Sequence, residues 1–134
     1  MIYLRELISI DIDNLPEDHF SNILQLHYRL NKIRHHWQVP MYITSGYRTE
    51  FDHRRIYKEK GIHNPPMGSK HLIGAAADVS DPKGSLKKWI GDNIKIVEKA
   101  DLWMESFEAT GGLDGGWVHF QLYPPSSGNR FFEP

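Results

Sequence analysis

Three short segments of the sequence carry side chains that could bind a metal ion and act on a polar bond. Cysteine is absent, so disulfides, thiolate metal ligands and a cysteine nucleophile are excluded. Any transition-metal site must therefore use histidine, aspartate or glutamate. The segments run from Ser45 to Arg48, from Ser69 to Asp78 and from Trp117 to His119.

The segment Trp117–Leu122 is predicted to be a strand, because apolar residues suited to a core occupy every second position. Trp117, His119 and Gln121 alternate with those residues and therefore share the other face. That face borders a cleft or solvent, with His119 at its centre. Trp117 and Gln121 are accordingly candidates for contact with a substrate.

Asp78 lies near the end of a small, apolar segment, 74–79, that is predicted to be a tightly packed strand. Its glycine and alanine neighbours leave room for another group to approach the carboxylate. His71 precedes this segment, and His119 lies on the strand described above. Two imidazoles and one carboxylate match the ligand count of a catalytic zinc, which keeps a fourth position for water.

Each of these residues also has an ordinary structural explanation. A single histidine is most often a surface residue or a hydrogen-bonded core residue, and Asp78 could belong to the turn that follows it. Arg48 could be a surface ion-pair partner. Spacing alone therefore leaves both explanations open. Surface or loop roles are expected for the His35–His36 pair and for His63.

The remaining sequence predicts the helices and strands that must hold these side chains. Apolar residues between Ile23 and Trp37 recur at intervals of three and four, which predicts a helix from Pro16 to Trp37. Helices alternate with short strands, so we predict an α+β fold with a small antiparallel sheet and flanking helices. Further helices are predicted at 49–61 and at 85–99 with Ser85 as cap, strands at 41–44, 74–79, 102–104 and 117–122, and a surface tail at 123–130.

Length and composition predict one globular domain over residues 1–134, which we expect to be a monomer. The formal charge is −1 and 25% of the residues are charged, which is ordinary for such a domain. No apolar run is long enough to span a membrane. The N-terminus lacks the features of a signal peptide, so we expect the chain to be cytoplasmic as made.

The order and spacing of the three segments resemble the zinc D-Ala-D-Ala peptidases of peptidase family M15, which have the hedgehog/DD-peptidase fold. The phage-type branch of the family is also similar in its Trp-Val-His sequence and its small single-domain size. The resemblance covers residues 41–122. Its motifs are Ser-Gly-x-Arg at 45–48, Ser-x-His-x-x-Gly-x-Ala-x-Asp at 69–78 and Trp-x-His at 117–119.

The resemblance implies that His71, Asp78 and His119 bind one zinc ion. It also implies that Arg48 stabilises the negative charge on the scissile carbonyl, and that Ser69 lies near the substrate. The implied reaction is hydrolysis of peptidoglycan stem peptides by a metal-activated water and a carboxylate acid/base. The enzyme would be a D-Ala-D-Ala carboxypeptidase or an endolysin-type endopeptidase, encoded by a phage and released to, or delivered at, the cell wall.

The catalytic glutamate of the family is displaced in this sequence. Many members carry it three residues before the last histidine, a position that is Gly116 here. Phage-type relatives often carry it on the preceding strand, after apolar residues, and Glu105 fits that form. We therefore assign the acid/base role to Glu105, with Glu108 and Asp114 as alternatives.

The sequence leaves two other classes of function open besides the peptidase. A phage structural or binding module could use the same fold with a structural or lost metal, and the missing acid at Gly116 favours that alternative. A nucleic-acid-binding protein is the third class. The near-neutral charge disfavours it, because binding to phosphates depends mainly on lysine and arginine.

Overall fold

A long amphipathic helix provides one side of the core. The computed structural model describes residues 1–8 and 14–134, and within them the predicted helix extends over Glu17–Trp37. It ends where Gln38 adopts a left-handed conformation (φ 60°) ahead of Pro40. Its buried residues recur at helical spacing and are Ile23, Leu26, Leu30 and Ile33.

The helices and strands follow the predicted order closely. The α-helices of the described chain are α1 (Glu17–Trp37), α2 (Glu50–Glu59), α3 (Ser85–Asp92) and α4 (Ile94–Lys99). Short 3-10 helices occupy Leu4–Glu6 and Lys70–Ile73. The strands are β1 (Ile43–Ser45), β2 (Ala76–Ser80), β3 (Trp103–Glu105), β4 (Trp117–Gln121) and β5 (Phe131–Phe132).

These strands form a five-stranded sheet in the order β1-β2-β4-β3-β5. Every neighbouring pair is antiparallel except β3 and β5, which run parallel. The predicted α+β fold with a small, mostly antiparallel sheet is therefore confirmed. The two central strands, β2 and β4, are distant in sequence and pair along their whole length, from Ala76 opposite Gln121 to Ser80 opposite Trp117.

The two faces of the central strands have different surroundings. Ala77 and Val79 of β2, with Val118 and Phe120 of β4, are fully buried and belong to the same apolar core as α1. Their alternate neighbours point to the opposite face of the sheet. The side chains expected to do chemistry lie there, so the core supports them from behind.

The helix predicted over residues 85–99 is wrong in two respects. Asn93 leaves the helical conformation (φ −132°, ψ 34°) and divides the segment into α3 and α4. Its side-chain amide donates to the Trp89 carbonyl at 2.9 Å. Ser85 does not cap α3. The carboxylate of Asp81 does so instead, accepting the N–H groups of Leu86 and Lys87 at 3.0 and 2.9 Å.

A buried lysine organises the loop that leads into β4. Lys87 is 1% exposed, and its ammonium donates to the carbonyls of Thr110, Gly112 and Gly115 at 2.8, 2.6 and 2.6 Å. A charged donor with three acceptors satisfies groups that would be costly to bury alone. The start of β4 is therefore held in place by a residue of α3.

The sequence pattern did not predict β5. Met104 donates its N–H to the Arg130 carbonyl at 2.9 Å, and Ser106 donates to the Phe132 carbonyl at 2.7 Å. These bonds place the last strand along the edge of β3, just after the tail expected at 123–130. Over the residues that the structure describes, no helix combines the length and the apolar character needed to cross a membrane.

Candidate metal centre and active site

His71 lies on the 3-10 helix that precedes β2, and a glycine fixes its approach to the sheet. Gly74 ends this helix with φ 76°, and a Cβ there would lie 2.6 Å from the side chain of Ile23 on α1. Only glycine allows this turn against α1. The Nδ1–H of His71 donates to the Gly46 carbonyl at 2.8 Å, so Nε2 is free and faces Asp78 Oδ2 at 3.4 Å.

Asp78 and His119 are opposite each other on the central strands. The register pairs them directly, and both side chains lie on the face away from the core. Asp78 Oδ1 is 2.9 Å from His119 Nδ1. The sequence predicted that the two side chains lie on adjoining strands, and the structure adds that they are paired directly.

The side chain of Gln121 sets the orientation of the His119 ring. Its amide nitrogen donates to the Tyr123 carbonyl at 2.8 Å, so its oxygen must point toward His119. That oxygen accepts the Nε2–H of His119 at 3.0 Å. The other ring nitrogen, Nδ1, is thereby left as an acceptor directed at Asp78.

The three side chains fit a metal ion by the chemistry of their free atoms. His71 Nε2 and His119 Nδ1 have no proton of their own once the remote nitrogens donate, and the carboxylate of Asp78 only accepts. Three acceptors that face one another need a shared cation, either a proton or a metal ion. One candidate ligand atom from each of the three residues lies within 4.8 Å of the other two. His71, Asp78 and His119 therefore form a group that could hold a metal ion.

The electrostatics of the group also favour a cation shared by the three side chains. Burial opposes ionisation of Asp78, but the adjacent imidazoles of His119 and His71 outweigh it and hold the pKa of the Asp78 carboxyl well below its usual range. Burial also disfavours charge on His119, yet the carboxylate of Asp78 raises the pKa of that imidazole. In the metal-free group, His119 therefore keeps a proton beside Asp78 to a higher pH than an ordinary histidine would.

The structure brings one of the three acid/base candidates to this group. Glu105, on β3, places Oε1 3.8 Å from His119 Nδ1, and its side chain is 21% exposed. Glu108 and Asp114 are exposed residues of the loop between β3 and β4. The backbone at Asp114 packs near the turn at Gly84.

Arg48 borders the group on the side of β1. Its Nε donates to Ser45 Oγ at 2.9 Å, and its terminal nitrogen Nη2 lies 3.6 Å from Asp78 Oδ2. The main chain of Arg48 is also bonded to a candidate ligand, because its N–H donates to the His71 carbonyl at 3.0 Å. With only 13% of its side chain exposed, Arg48 is held beside the candidate ligands.

The three predicted substrate-binding residues differ in how far they are exposed. Ser69 is half-buried at the start of the 3-10 helix, and Trp117 is 37% exposed at the start of β4. Gln121 is buried, with both ends of its amide bonded as described above. Contact of these three residues with a substrate stays a prediction.

Two contributors to the site were not singled out from the sequence. The Gly46 carbonyl, which orients His71, is a main-chain group and leaves no signal in residue types. His53, on α2, is fully buried and contacts Arg48. Its position on one helical face with Ile56 and Tyr57 was the signal that could have indicated its burial.

Comparison with known proteins agrees with this geometry. The sequence model of peptidase M15 matches residues 6–102, a stretch that contains Arg48, His71 and Asp78, whereas Glu105 and His119 follow it. Neither the curated proteins nor the solved structures include a match to the chain. Since the matched stretch covers more than half of the 134 residues, the chain belongs to the peptidase M15 family and hence to a family of hydrolases.

Proposed function

We propose that the protein is a zinc-dependent peptidase that cleaves the stem peptides of peptidoglycan. The observation that carries the proposal is the convergence of His71 Nε2, Asp78 and His119 Nδ1, three acceptors facing one another on a peptidase of this family. Histidine nitrogen and carboxylate oxygen are ordinary zinc ligands, and three protein ligands leave a fourth position for chemistry.

The chain's own groups would prepare the metal site before a substrate arrives. The Gly46 carbonyl and the Gln121 amide hold the two imidazoles in the tautomers that present a free nitrogen. When bound, a zinc ion would polarise the scissile carbonyl and acidify a water molecule. The apolar core behind β2 and β4 keeps the ligands fixed on their strands.

Glu105 is the proposed acid/base. Its carboxylate lies at the edge of the ligand group, 3.8 Å from His119 Nδ1, and main-chain bonds to β5 order its strand. From there it would accept a proton from the attacking water and deliver it to the leaving amine. The half-buried setting limits competition from bulk water.

Arg48 is the proposed donor to the carbonyl oxygen that becomes negative. Its guanidinium is planar, always charged and already positioned beside Asp78. A preorganised donor of this kind lowers the barrier because it need not be reorganised as charge develops. Ser69 and Trp117 would then contact the peptide on either side.

The natural setting of the reaction is proposed from its chemistry. The substrate would be a cell-wall peptide ending in, or containing, D-alanine, and the protein would work as a monomer with one zinc ion. A phage product that is made in the cytoplasm and then released to the wall would meet this substrate. Carboxypeptidase and endopeptidase action would differ in whether a free peptide carboxylate follows the cleaved bond.

The test is incubation of the zinc-loaded protein with purified sacculi and with D-Ala-D-Ala peptides, followed by mass spectrometry of the products. Release of D-alanine alone would identify a carboxypeptidase, and larger fragments would identify an endopeptidase. The matched control is Asp78→Asn, which removes a ligand charge at nearly constant volume. No product from a zinc-loaded wild-type protein would contradict the proposal.

A binding module is the second candidate function, and one observation favours it. Gly116 occupies the position where many family members carry the catalytic glutamate. If Glu105 did not replace that residue, the same group would hold a metal without turnover. Zinc-dependent binding to sacculi with no cleavage would identify this second function.

A further inference from the structure

We infer that His53, on α2, is a positioning residue that orients Arg48 toward the candidate metal centre. The catalytic part of this inference rests on the proposed function, but the orientation of Arg48 can be tested without measuring turnover. His53 is 0% exposed, whereas the other residues of α2 are half-buried or exposed. A fully buried imidazole calls for a specific set of hydrogen-bond partners.

The partners of His53 determine its tautomer. The Pro66 carbonyl, which can only accept, lies 2.9 Å from His53 Nε2, so Nε2 carries the proton. The other nitrogen, Nδ1, is then an acceptor and faces Nη1 of Arg48 at 3.5 Å. A guanidinium can only donate, so the two groups are matched in this tautomer alone.

Each of the three guanidinium nitrogens of Arg48 therefore faces a residue of a different element. Nε donates to Ser45 of β1, Nη1 is directed at His53 of α2, and Nη2 faces Asp78 of β2. Ser45 and His53 hold two nitrogens of the planar group, and the remaining nitrogen, Nη2, is directed at Asp78 beside the candidate metal centre.

The electrostatics of His53 suit an acceptor beside a cation. Burial and the nearby Arg48 lower the pKa of the His53 imidazole, against the opposing effect of the Pro66 carbonyl. A neutral ring accepts from Arg48, whereas a charged ring would repel it. His53 also links the loop before His71, through Pro66, to the position of Arg48.

The first experiment follows the Arg48 Nε–H signal in proton–nitrogen correlation spectra, assigned by its loss in Arg48→Lys. In the wild type we expect a sharp signal that is protected from solvent exchange. His53→Leu, which keeps an apolar side chain of similar size, should speed that exchange at least tenfold. His53→Gln retains a donor and an acceptor and should restore most of the protection.

A double-mutant cycle separates positioning from a general effect on the fold. His53→Leu should lower kcat/KM about tenfold in the wild-type background, mostly through kcat, and change it less than twofold in Arg48→Ala. His36→Leu, at an exposed position on α1, is the matched control and should change neither measurement. Melting temperature and zinc content of each variant show whether it is folded and loaded.

An Arg48 signal that is unchanged in His53→Leu would overturn the inference. So would an equal loss of kcat/KM in both backgrounds, because His53 would then act independently of Arg48. If His53→Leu does not fold, both measurements are made on His53→Phe, which keeps a ring but has no hydrogen-bonding atom, and the same faster exchange and lower turnover are expected there. A wild-type protein without turnover would refute the proposed function, while the Arg48 signal would still decide the role of His53.

Discussion

Asp78 and His119 face each other across the two central strands of the sheet, with 2.9 Å between the carboxylate Oδ1 and the imidazole Nδ1. Because Gln121 holds the opposite nitrogen of the ring as a donor, the two atoms that meet are both acceptors unless a cation joins them. A proton and a metal ion therefore compete for the same position. This competition governs the first two predictions.

Removal of any one ligand should abolish tight zinc binding. His71→Ala, Asp78→Ala and His119→Ala should each lower zinc affinity by more than the roughly 10- to 100-fold that loss of a supporting hydrogen bond causes. The measurement is zinc stoichiometry and competition with a chelator. The variants should stay folded, because the core lies on the other face of the sheet. His36→Ala serves as the control, and full stoichiometry in a ligand variant would exclude that residue from the site.

Zinc affinity should fall as the pH is lowered, because the raised pKa of His119 favours a proton on the atom that would bind the metal. In the metal-free protein the same shift stabilises the fold. That contribution is fully present below the ordinary histidine pKa of about 6.5 and is lost as pH rises through the higher folded value. Comparison of metal-free wild type with His119→Gln by urea denaturation between pH 6 and 9 checks this. A difference that grew with pH would contradict the assignment.

Glu105→Gln should keep its zinc and its fold but lose about 100-fold or more in turnover, the usual contribution of a general acid/base. Glu108→Gln and Asp114→Asn are the matched controls, since both carboxylates lie in the exposed loop beyond β3. They should remain within a few-fold of the wild type. If Glu105→Gln were active and one of the two loop variants were inactive, the acid/base role would belong to that loop residue. The assignment of the metal site would not change.

Arg48→Lys should behave as a severe substitution. A point charge cannot replace a planar fork that contacts Ser45 and Asp78 together. We expect a loss of about 2–4 kcal/mol in transition-state stabilisation, or roughly 30- to 1,000-fold in kcat/KM. Arg54→Lys, at an exposed ion pair with Glu50, is the control and should have no effect. Equal kinetics for the two variants would place Arg48 outside the reaction.

Lys87→Met should destabilise the fold by about 2–4 kcal/mol, because three carbonyls of the loop before β4 lose a charged donor. The melting temperature should fall by roughly 5–15 °C. Lys88→Met, the exposed neighbour on α3, should change it very little. Similar melting temperatures for the two variants would show that the loop does not depend on Lys87.

Periodicity made the main elements predictable, together with the face of the sheet on which Asp78 and His119 lie, whereas their assignment as candidate metal ligands depends on the resemblance to the M15 peptidases. The spacing of apolar residues placed α1, and alternation in β4 put His119 on the face opposite the core. Strict alternation also explains why Asp78 and His119 meet, since a register shift of one residue would have put His119 in the core. These features depend on patterns spread over many residues.

The features that escaped prediction involve single side-chain hydrogen bonds. The apolar period continues through Asn93, so it does not signal the helix break at that residue, whose side chain bonds to the Trp89 carbonyl. The cap of α3 comes from Asp81, four residues before Ser85. His53 is buried because of Pro66 and Arg48, contacts that residue types alone do not reveal.

On β2 and β4, substitutions on one face would abolish the proposed catalysis, whereas substitutions on the other face would unfold the chain. The two kinds of position alternate along each strand, with Asp78 between Ala77 and Val79, and His119 between Val118 and Phe120. A single substitution of Asp78 or His119 would therefore remove the proposed reaction and leave the core of the protein unchanged. One such change on this sheet would be enough to turn the proposed enzyme into a folded protein that can only bind.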